Sequence, residues 1–232
     1  MENIPFTRRL EITADGSHTL FIPEMDEHYH SVNGAVQESR HVFIEAGWKC
    51  RLKEKRETPA EIRVLEIGFG TGLNAFLTLL EAERTGRPVH YYSIELYPLD
   101  AEVVRSLNYG EVIRPAYSYP DRFQALHAAP WNEPAVITPC FTLHKIQGDS
   151  NRCTLPERID LVYFDAFAPD KQPEMWNPGI FRKLFACMAP GALLTTYCAK
   201  GAVRRMMKEA GYSVERIPGP PGKREMLRAV KR

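Results

Sequence analysis

The 232-residue chain has no run of about 18 apolar residues, the length a helix needs to cross a bilayer, so a membrane-spanning helix is excluded. Its first residues, M-E-N-I-P-F-T-R-R, lack the apolar core of a signal peptide. Cysteine is scarce and unpatterned. The five are Cys50, Cys140, Cys153, Cys187 and Cys198, with no C-x-x-C and no Cys/His pair at metal-ligand spacing. A disulfide framework and a metal centre are therefore not expected, and the thiols read as reduced in a cytosolic protein. There is no internal repeat and no low-complexity tract. The length suits one α/β domain with a small appendage.

Charge of one sign is also lacking overall, since the net charge is only +1. The distribution is uneven. Lys200 to Arg232 carries ten Lys/Arg against three Glu. A basic end suits a polyanion such as nucleic acid, although a solvated surface is the commoner origin of such a run.

What is present is an alternation of strand and helix signals. R-R-L-E-I-T and H-T-L-F-I around A-D-G-S read as a β-hairpin with an Asp-Gly turn. The segment from Asp26 to Trp48 has a loosely helical spacing at Val32, Ala35, Val36, Val42, Phe43 and Ala46. I-R-V-L-E-I, V-H-Y-Y-S-I-E, C-F-T-L-H-K-I-Q, I-D-L-V-Y-F-D and G-A-L-L-T-T-Y-C are strands with helices between most of them, and Tyr109–Pro139 gives no clear signal. The expected architecture is a mostly parallel, doubly wound α/β sheet. The two closing strands around P-G-P-P-G-K form an antiparallel edge. Residues 1–58 are read as a hairpin and helical lid segment, and residues 59–232 as the main domain.

E-I-G-F-G-T-G, Glu66 to Gly72, follows a buried strand and opens a helix. Gly68, Gly70 and Gly72 allow a sharp turn and close approach of a ligand to bare backbone. The dinucleotide fingerprint G-x-G-x-x-G fails because Leu73 follows Gly72. E-x-G-x-G-x-G instead resembles motif I of methyltransferases dependent on S-adenosylmethionine (SAM). A pyrophosphate disfavours a nearby acid, whereas the ammonium of SAM welcomes one such as Glu66. Glu95 ends the next strand and suits a pair of ribose hydroxyls, which serves either cofactor. Asp149, in Q-G-D, resembles the acid that meets the adenine amino group in that methyltransferase fold.

Asp165 ends I-D-L-V-Y-F-D and opens A-F-A-P-D-K-Q-P-E-M-W. Ligands in open α/β sheets lie at the carboxyl ends of the strands, so Asp165 is expected in the crevice of the glycine loop. D-A-F-A-P resembles the D-P-P-Y loop of amino-group methyltransferases. A carboxylate there can orient an amine and take its proton. Phe167 and Trp176 are expected to stack on a planar substrate ring, with Pro169 and Pro173 stiffening the loop. Taken alone, Asp165 reads more readily as a helix cap with core aromatics behind it; beside a SAM site the catalytic reading is the preferred one.

E-I-G-F-G-T-G-L-N, D-A-F-A-P-D-K-Q-P-E-M-W and K-R-E-M-L together are similar to the methyltransferase half of the MnmC family of bifunctional tRNA wobble-uridine enzymes. D-E-H-Y-H-S-V-N-G-A-V-Q-E-S-R-H-V-F resembles that family's N-terminal segment. The resemblance implies SAM-dependent methylation of the primary amine of 5-aminomethyl-2-thiouridine at the wobble position, giving 5-methylaminomethyl-2-thiouridine. It implies Asp165 as the catalytic acid, and Glu66, Gly68, Glu95 and Asp149 in the cofactor site. Tyr29, Ser31, Gly34 and Glu38 then form the segment that closes over the cofactor. The family's flavin-dependent half would need roughly another 350 residues, so no FAD is expected. One departure is Ala166, where the family frequently has Gly; it should matter only if that residue needs φ > 0.

In this light Lys171, Lys200, Arg204, Arg205, Lys208, Lys223 and Arg224 become candidate phosphate contacts to the anticodon arm of a tRNA. His28, His30 and His41 read as structural or surface histidines. Two other readings stay open. One is a small-molecule amine methyltransferase or aminopropyltransferase on the same scaffold. The other is a non-catalytic RNA-binding module.

Overall fold

The computed structural model describes residues 6–53, 61–113 and 120–232. The expected boundary at 58/59 and part of the ambiguous Tyr109–Pro139 stretch lie outside the described residues.

The chain opens with strands β1 (Arg9–Ile12), β2 (His18–Ile22) and β3 (Glu27–His28), paired antiparallel in a small sheet. The turn between β1 and β2 holds Gly16 at φ 82°, as an Asp-Gly hairpin requires. Helix α1 (Ala35–Ser39) runs into a wide π-helical stretch, Arg40–Trp48, and then α2 (Lys49–Lys53). The stretch ends with the Lys49 N–H donating to Ile44 O, one residue further back than in an α-helix. Widening turns Val42–Ile44 and Ala46–Trp48 inward together, which explains why the spacing looked only loosely helical. Gly47 lets this helix touch the main sheet: a Cβ there would lie 3.1 Å from the Tyr163 ring and 3.3 Å from Thr195 Oγ1. The N-terminal segment thus shares its core with the sheet.

Among the described residues the main sheet has eight strands. They are β4 (Ile62–Ile67), β5 (Val89–Glu95), β6 (Pro134–Thr138), β7 (Phe141–Gln147), β8 (Ile159–Phe164), β9 (Met188–Thr196), β10 (Ser213–Pro218) and β11 (Glu225–Val230). Their order is β10-β11-β9-β8-β4-β5-β7-β6. The five central strands pair in parallel, as the alternating signals predicted. β10–β11–β9 forms the expected antiparallel edge. The opposite edge is antiparallel too, through β6, inside the stretch the sequence left open.

Helix α3 (Leu73–Thr85) follows the glycine loop and stops at Gly86, φ 65°, where the Arg87 N–H returns to Ala82 O. Short helices α4 (Ala101–Ser106) and α5 (Tyr109–Val112) precede α6 (Pro120–Ala128), whose Phe123 packs edge-on against Phe76 and Tyr109. With the π-helical stretch they bury one sheet face. Helices α7 (Pro178–Cys187) and α8 (Gly201–Glu209) bury the other. Asn177 caps α7, accepting the Ile180 N–H at 3.0 Å, with Pro178 at the first helical position. From central β4 the chain builds outward through β5 and β7, then returns to add β8 and β9 on the other side. This reversal opens a crevice at the carboxyl ends of β4 and β8.

Candidate active site

A cavity of about 420 Å³ fills that crevice. One end is made by the glycine loop and the ends of β5 and β7. Gly68 (φ 91°) and Gly70 (φ 48°) adopt left-handed backbone, and a Cβ on Gly68 would lie 2.8 Å from the Asp165 carbonyl oxygen. The segments leaving β4 and β8 can therefore lie this close because position 68 has no side chain. Glu95 is held ready: Oε2 accepts the Gly70 N–H and Oε1 the Tyr97 N–H, both at 2.9 Å. Asp149 lines the same end, with Oδ1 accepting the Asn151 N–H at 2.9 Å. Phe6, Leu96 and Tyr97 add an apolar wall.

The other end is built from side chains of distant segments. Asp165 enters it from β8, and Asn74 of α3 donates Nδ2–H to its Oδ2 at 2.8 Å. Burial pushes the Asp165 carboxyl up to about 7; the Asn74 bond and Lys223 pull against this, and Glu38 adds to it. Phe167 meets Tyr29 edge-on at 5.1 Å. The Tyr197 hydroxyl donates to Ala166 O at 2.8 Å. Glu38 accepts the Ser31 N–H at 2.8 Å and Lys223 Nζ at 2.6 Å, and that ammonium sits 4.1 Å from the Tyr197 ring centroid.

Gly68, Gly70, Glu95, Asp149, Tyr29, Ser31, Glu38, Asp165, Phe167 and Lys223 thus line one cavity. Others named from the sequence stand elsewhere. Glu66 does not face the cavity. It is wholly buried beneath the loop, accepting the Ser93 hydroxyl at 2.7 Å, so it offers no open carboxylate to an ammonium. Gly72 starts α3 with His127 filling the space beside it, and Gly34 starts α1 against Asp15; both lie off the cavity. Trp176 is only 6% exposed, packs on Phe164 and donates Nε1–H to Phe167 O at 2.7 Å. It braces the loop from behind, and the expectation that it stacks on a substrate is corrected.

The basic residues also divide. Lys223 pairs with Glu38 at 2.6 Å and lines the cavity. Lys171 pairs with Asp26 at 3.3 Å and Lys200 with Asp170, near the loop's outer side. Arg224 is exposed, and Arg204 lies on α8 away from the cavity. His30 is buried and bonded to Thr71 Oγ1 at 2.8 Å, with burial holding its imidazole down at about 4; His28 pairs with Glu11, and His41 with Pro218 O. Ala166 is not in the left-handed region, so its difference from Gly leaves the backbone unstrained. Asn74 and Tyr197 went unnamed in the sequence. Asn74 had a visible signal, the Asn that follows the glycine loop in G-T-G-L-N; Tyr197 had none. Among the described residues, no three His, Cys, Asp or Glu side chains group as a metal site, and no helix is long and apolar enough to cross a membrane.

The donor set fits SAM. Side-chain-free backbone at Gly68 and Gly70 leaves room for close approach, and two strand-end carboxylates stand beside it. Comparison with known proteins points the same way. A family described as S-adenosyl-L-methionine-dependent methyltransferase matches residues 140–232. The tRNA 5-methylaminomethyl-2-thiouridine biosynthesis bifunctional protein MnmC of Pseudomonas paraeruginosa is 34% identical over 222 residues, covering 86% of this chain and 31% of that protein. MnmC of Ralstonia nicotianae is 31% identical, covering 95% of this chain and 34% of that protein. The chain thus spans about a third of the length of these relatives. Among solved structures, MNMC2 from Aquifex aeolicus has the same fold, with TM-score 0.78 and 24% identity over 98% of this chain and 72% of that one. Spermidine synthase from Thermotoga maritima shares the fold more distantly, with TM-score 0.50 and 9% identity over 96% of this chain and 71% of that one.

Proposed function

We propose that the chain is an S-adenosyl-L-methionine-dependent methyltransferase, like the family that matches residues 140–232, and that it methylates an amine on tRNA. The acceptor is the aminomethyl group of 5-aminomethyl-2-thiouridine at the wobble position of the anticodon arm, and the product is 5-methylaminomethyl-2-thiouridine. The observation that carries this reading is Asp165. A carboxylate enclosed by Phe167, Tyr29 and Tyr197, and pushed to about 7, is suited to take a proton from an amine near neutral pH.

SAM, when bound, supplies a methyl group on a sulfonium. Gly68, Gly70, Glu95 and Asp149 would hold it, and Tyr29, Ser31 and Glu38 would cover it. Asp165 accepts an N–H of the substrate amine, so the nitrogen lone pair faces the glycine-loop end, and Asp165 then takes the released proton. Phe167 and Tyr29 exclude water and offer ring faces to a base splayed out of its loop. Residues 1–58 serve as the lid segment and residues 59–232 as the catalytic domain. Arg224, Lys200, Arg204 and Lys171 serve as positioning contacts to phosphates, which carry no sequence information.

The test is nucleoside mass spectrometry. Protein, SAM and tRNA bearing 5-aminomethyl-2-thiouridine are incubated, digested and examined for the gain of one methyl at that nucleoside. A gain with wild type and none with Asp165→Ala supports the reading. No gain by protein that binds SAM would overturn the substrate.

A further inference from the structure

Thr71 stands between two glycines of the loop, Gly70 at φ 48° and Gly72 at φ 74°, and is only 1% exposed. Glycine on both sides gives this backbone wide freedom, and a ligand that needs one conformation of it must pay for the rest in entropy. Thr71 is the residue at which that freedom is removed. His127 of α6 donates Nε2–H to Thr71 O at 3.0 Å; a carbonyl only accepts, so His127 carries its proton on Nε2. His30, from the N-terminal segment, bonds Thr71 Oγ1 through its own Nε2 at 2.8 Å. One histidine therefore grips the backbone of Thr71 and the other its side chain.

The His30 grip has a firm support. The His30 N–H donates to Thr19 Oγ1 at 3.1 Å, and the Thr19 hydroxyl donates back to His30 O at 3.3 Å. The Tyr29 N–H donates to Leu20 O at 2.9 Å, so β2 fixes the backbone from which the imidazole projects. Tyr29 lays its ring on the loop one residue earlier: a Cβ on Gly70 would lie 3.1 Å from Tyr29 Cδ1. Consecutive residues of the N-terminal segment thus hold consecutive residues of the loop. The hold passes on to Glu95, whose Oε2 accepts the Gly70 N–H at 2.9 Å. Tyr29, His30, Gly70, Thr71 and Glu95 all line the one cavity.

We propose that His30 is a positioning residue for the methyl donor: through Thr71 Oγ1 it fixes the glycine loop, and with it the Gly70 N–H and the Glu95 carboxylate, in the conformation that SAM meets. The N-terminal segment then does more than cover the ligand, because it shapes the wall on which the ligand lies. His30 acts through Thr71 and not on the reacting atoms, so its effect belongs to SAM binding and not to methyl transfer. The role rests on reading this end of the cavity as the SAM site, and it is independent of the tRNA acceptor.

Calorimetric titration with SAM tests the proposal. His30→Leu fills the space without the bond, and His30→Gln puts an amide where Nε2 stands. Thr71→Val removes Oγ1 but keeps the carbonyl that His127 uses, and Thr71→Ser retains the hydroxyl. His30→Leu and Thr71→Val should each weaken SAM binding about three- to tenfold, the effect of one buried neutral hydrogen bond. His30→Gln and Thr71→Ser should recover most of that loss. In turnover the loss should fall on KM for SAM and not on kcat. The double variant His30→Leu/Thr71→Val should bind no worse than either single one, because both cut the same bond, whereas Thr71→Val and His127→Leu should add. Additive losses from His30→Leu and Thr71→Val would overturn the proposal. So would an unchanged SAM Kd in both folded variants beside a lowered melting temperature, which is the mark of a merely structural histidine. If His30→Leu does not fold, Thr71→Val against Thr71→Ser decides. Wild-type protein that binds SAM with this dependence but methylates no tRNA would count against the acceptor reading and leave the role of His30 standing.

Discussion

At the glycine-loop end the wall of the cavity includes bare backbone at Gly68 and Gly70; at the Asp165 end it is made of side chains from distant segments. The first end is made from consecutive residues at strand ends, Gly68–Gly70, Glu95–Tyr97 and Gly148–Ser150. The second is assembled from Tyr29, Glu38, Asn74, Asp165, Phe167, Tyr197 and Lys223, which meet only after folding. Backbone walls tolerate little change in shape, because their geometry depends on φ values that few residues adopt. Side-chain walls tolerate changes in shape but not in charge, because each charged group sets the titration of its neighbours.

The comparison breaks most sharply at Asp165. Asp165→Asn preserves shape and removes the proton acceptor, so kcat should fall by roughly a hundred- to ten-thousand-fold while SAM binding persists, as measured by calorimetry beside single-turnover methylation. The same variant should be more stable than wild type at alkaline pH. The folded Asp165 carboxyl is raised to about 7 from 3.8, so folding favours its protonated form. The stability associated with that form is present below the unfolded value and is lost as pH rises through about 7. The amide of the Asp165→Asn variant does not ionise and avoids that loss, so the gap in melting temperature should open with rising pH.

At the other end, Gly68→Ala should damage cofactor binding first. The Cβ would meet the Asp165 carbonyl at 2.8 Å and the residue would keep φ 91°. A cost of about 1–3 kcal/mol should appear in a thermal melt, together with weakened SAM binding. Wild-type affinity and stability would show that the loop relaxes freely.

The charge pair gives a smaller effect with a sign. Lys223 lowers the Asp165 titration and Glu38 raises it. Lys223→Met should therefore move the acid limb of kcat/KM, near pH 7 in wild type, to higher pH, and Glu38→Gln should move it lower. Shifts in the same direction would mean that the pair acts only as a structural tie. Trp176→Phe should matter least. It deletes the 2.7 Å bond to Phe167 O while keeping an aromatic ring in place, costing about 1 kcal/mol in a denaturant melt and a few-fold in KM.

The same division governs what could be read from the chain. Consecutive residues with one stereochemical demand leave a local mark, and E-I-G-F-G-T-G left one. So did strand-end acids at Glu95, Asp149 and Asp165, because the carboxyl ends of parallel strands converge whatever the rest of the fold does. Glu66 shows the limit of that rule. It also lies near the end of its strand, but alternation along β4 turns it into the core beside Tyr91 and Ser93. Trp176 looked like a stacking platform in a loop rich in aromatics, and only packing revealed that its N–H is spent on the Phe167 carbonyl. Lys223 looked like one more charge in a basic tail, until the β10–β11 turn brought it to Glu38, 185 positions away in sequence.

The amino-acid sequence by itself determined the parallel α/β order, the glycine loop and the placing of Asp165 at the crevice, because each follows from periodicity or from a short motif with one allowed backbone path. Only the tertiary structure decided which charged residues face the cavity, which are buried beneath it, and which residues merely brace it. Those properties depend on burial and on partners far away along the chain, and no local pattern encodes them.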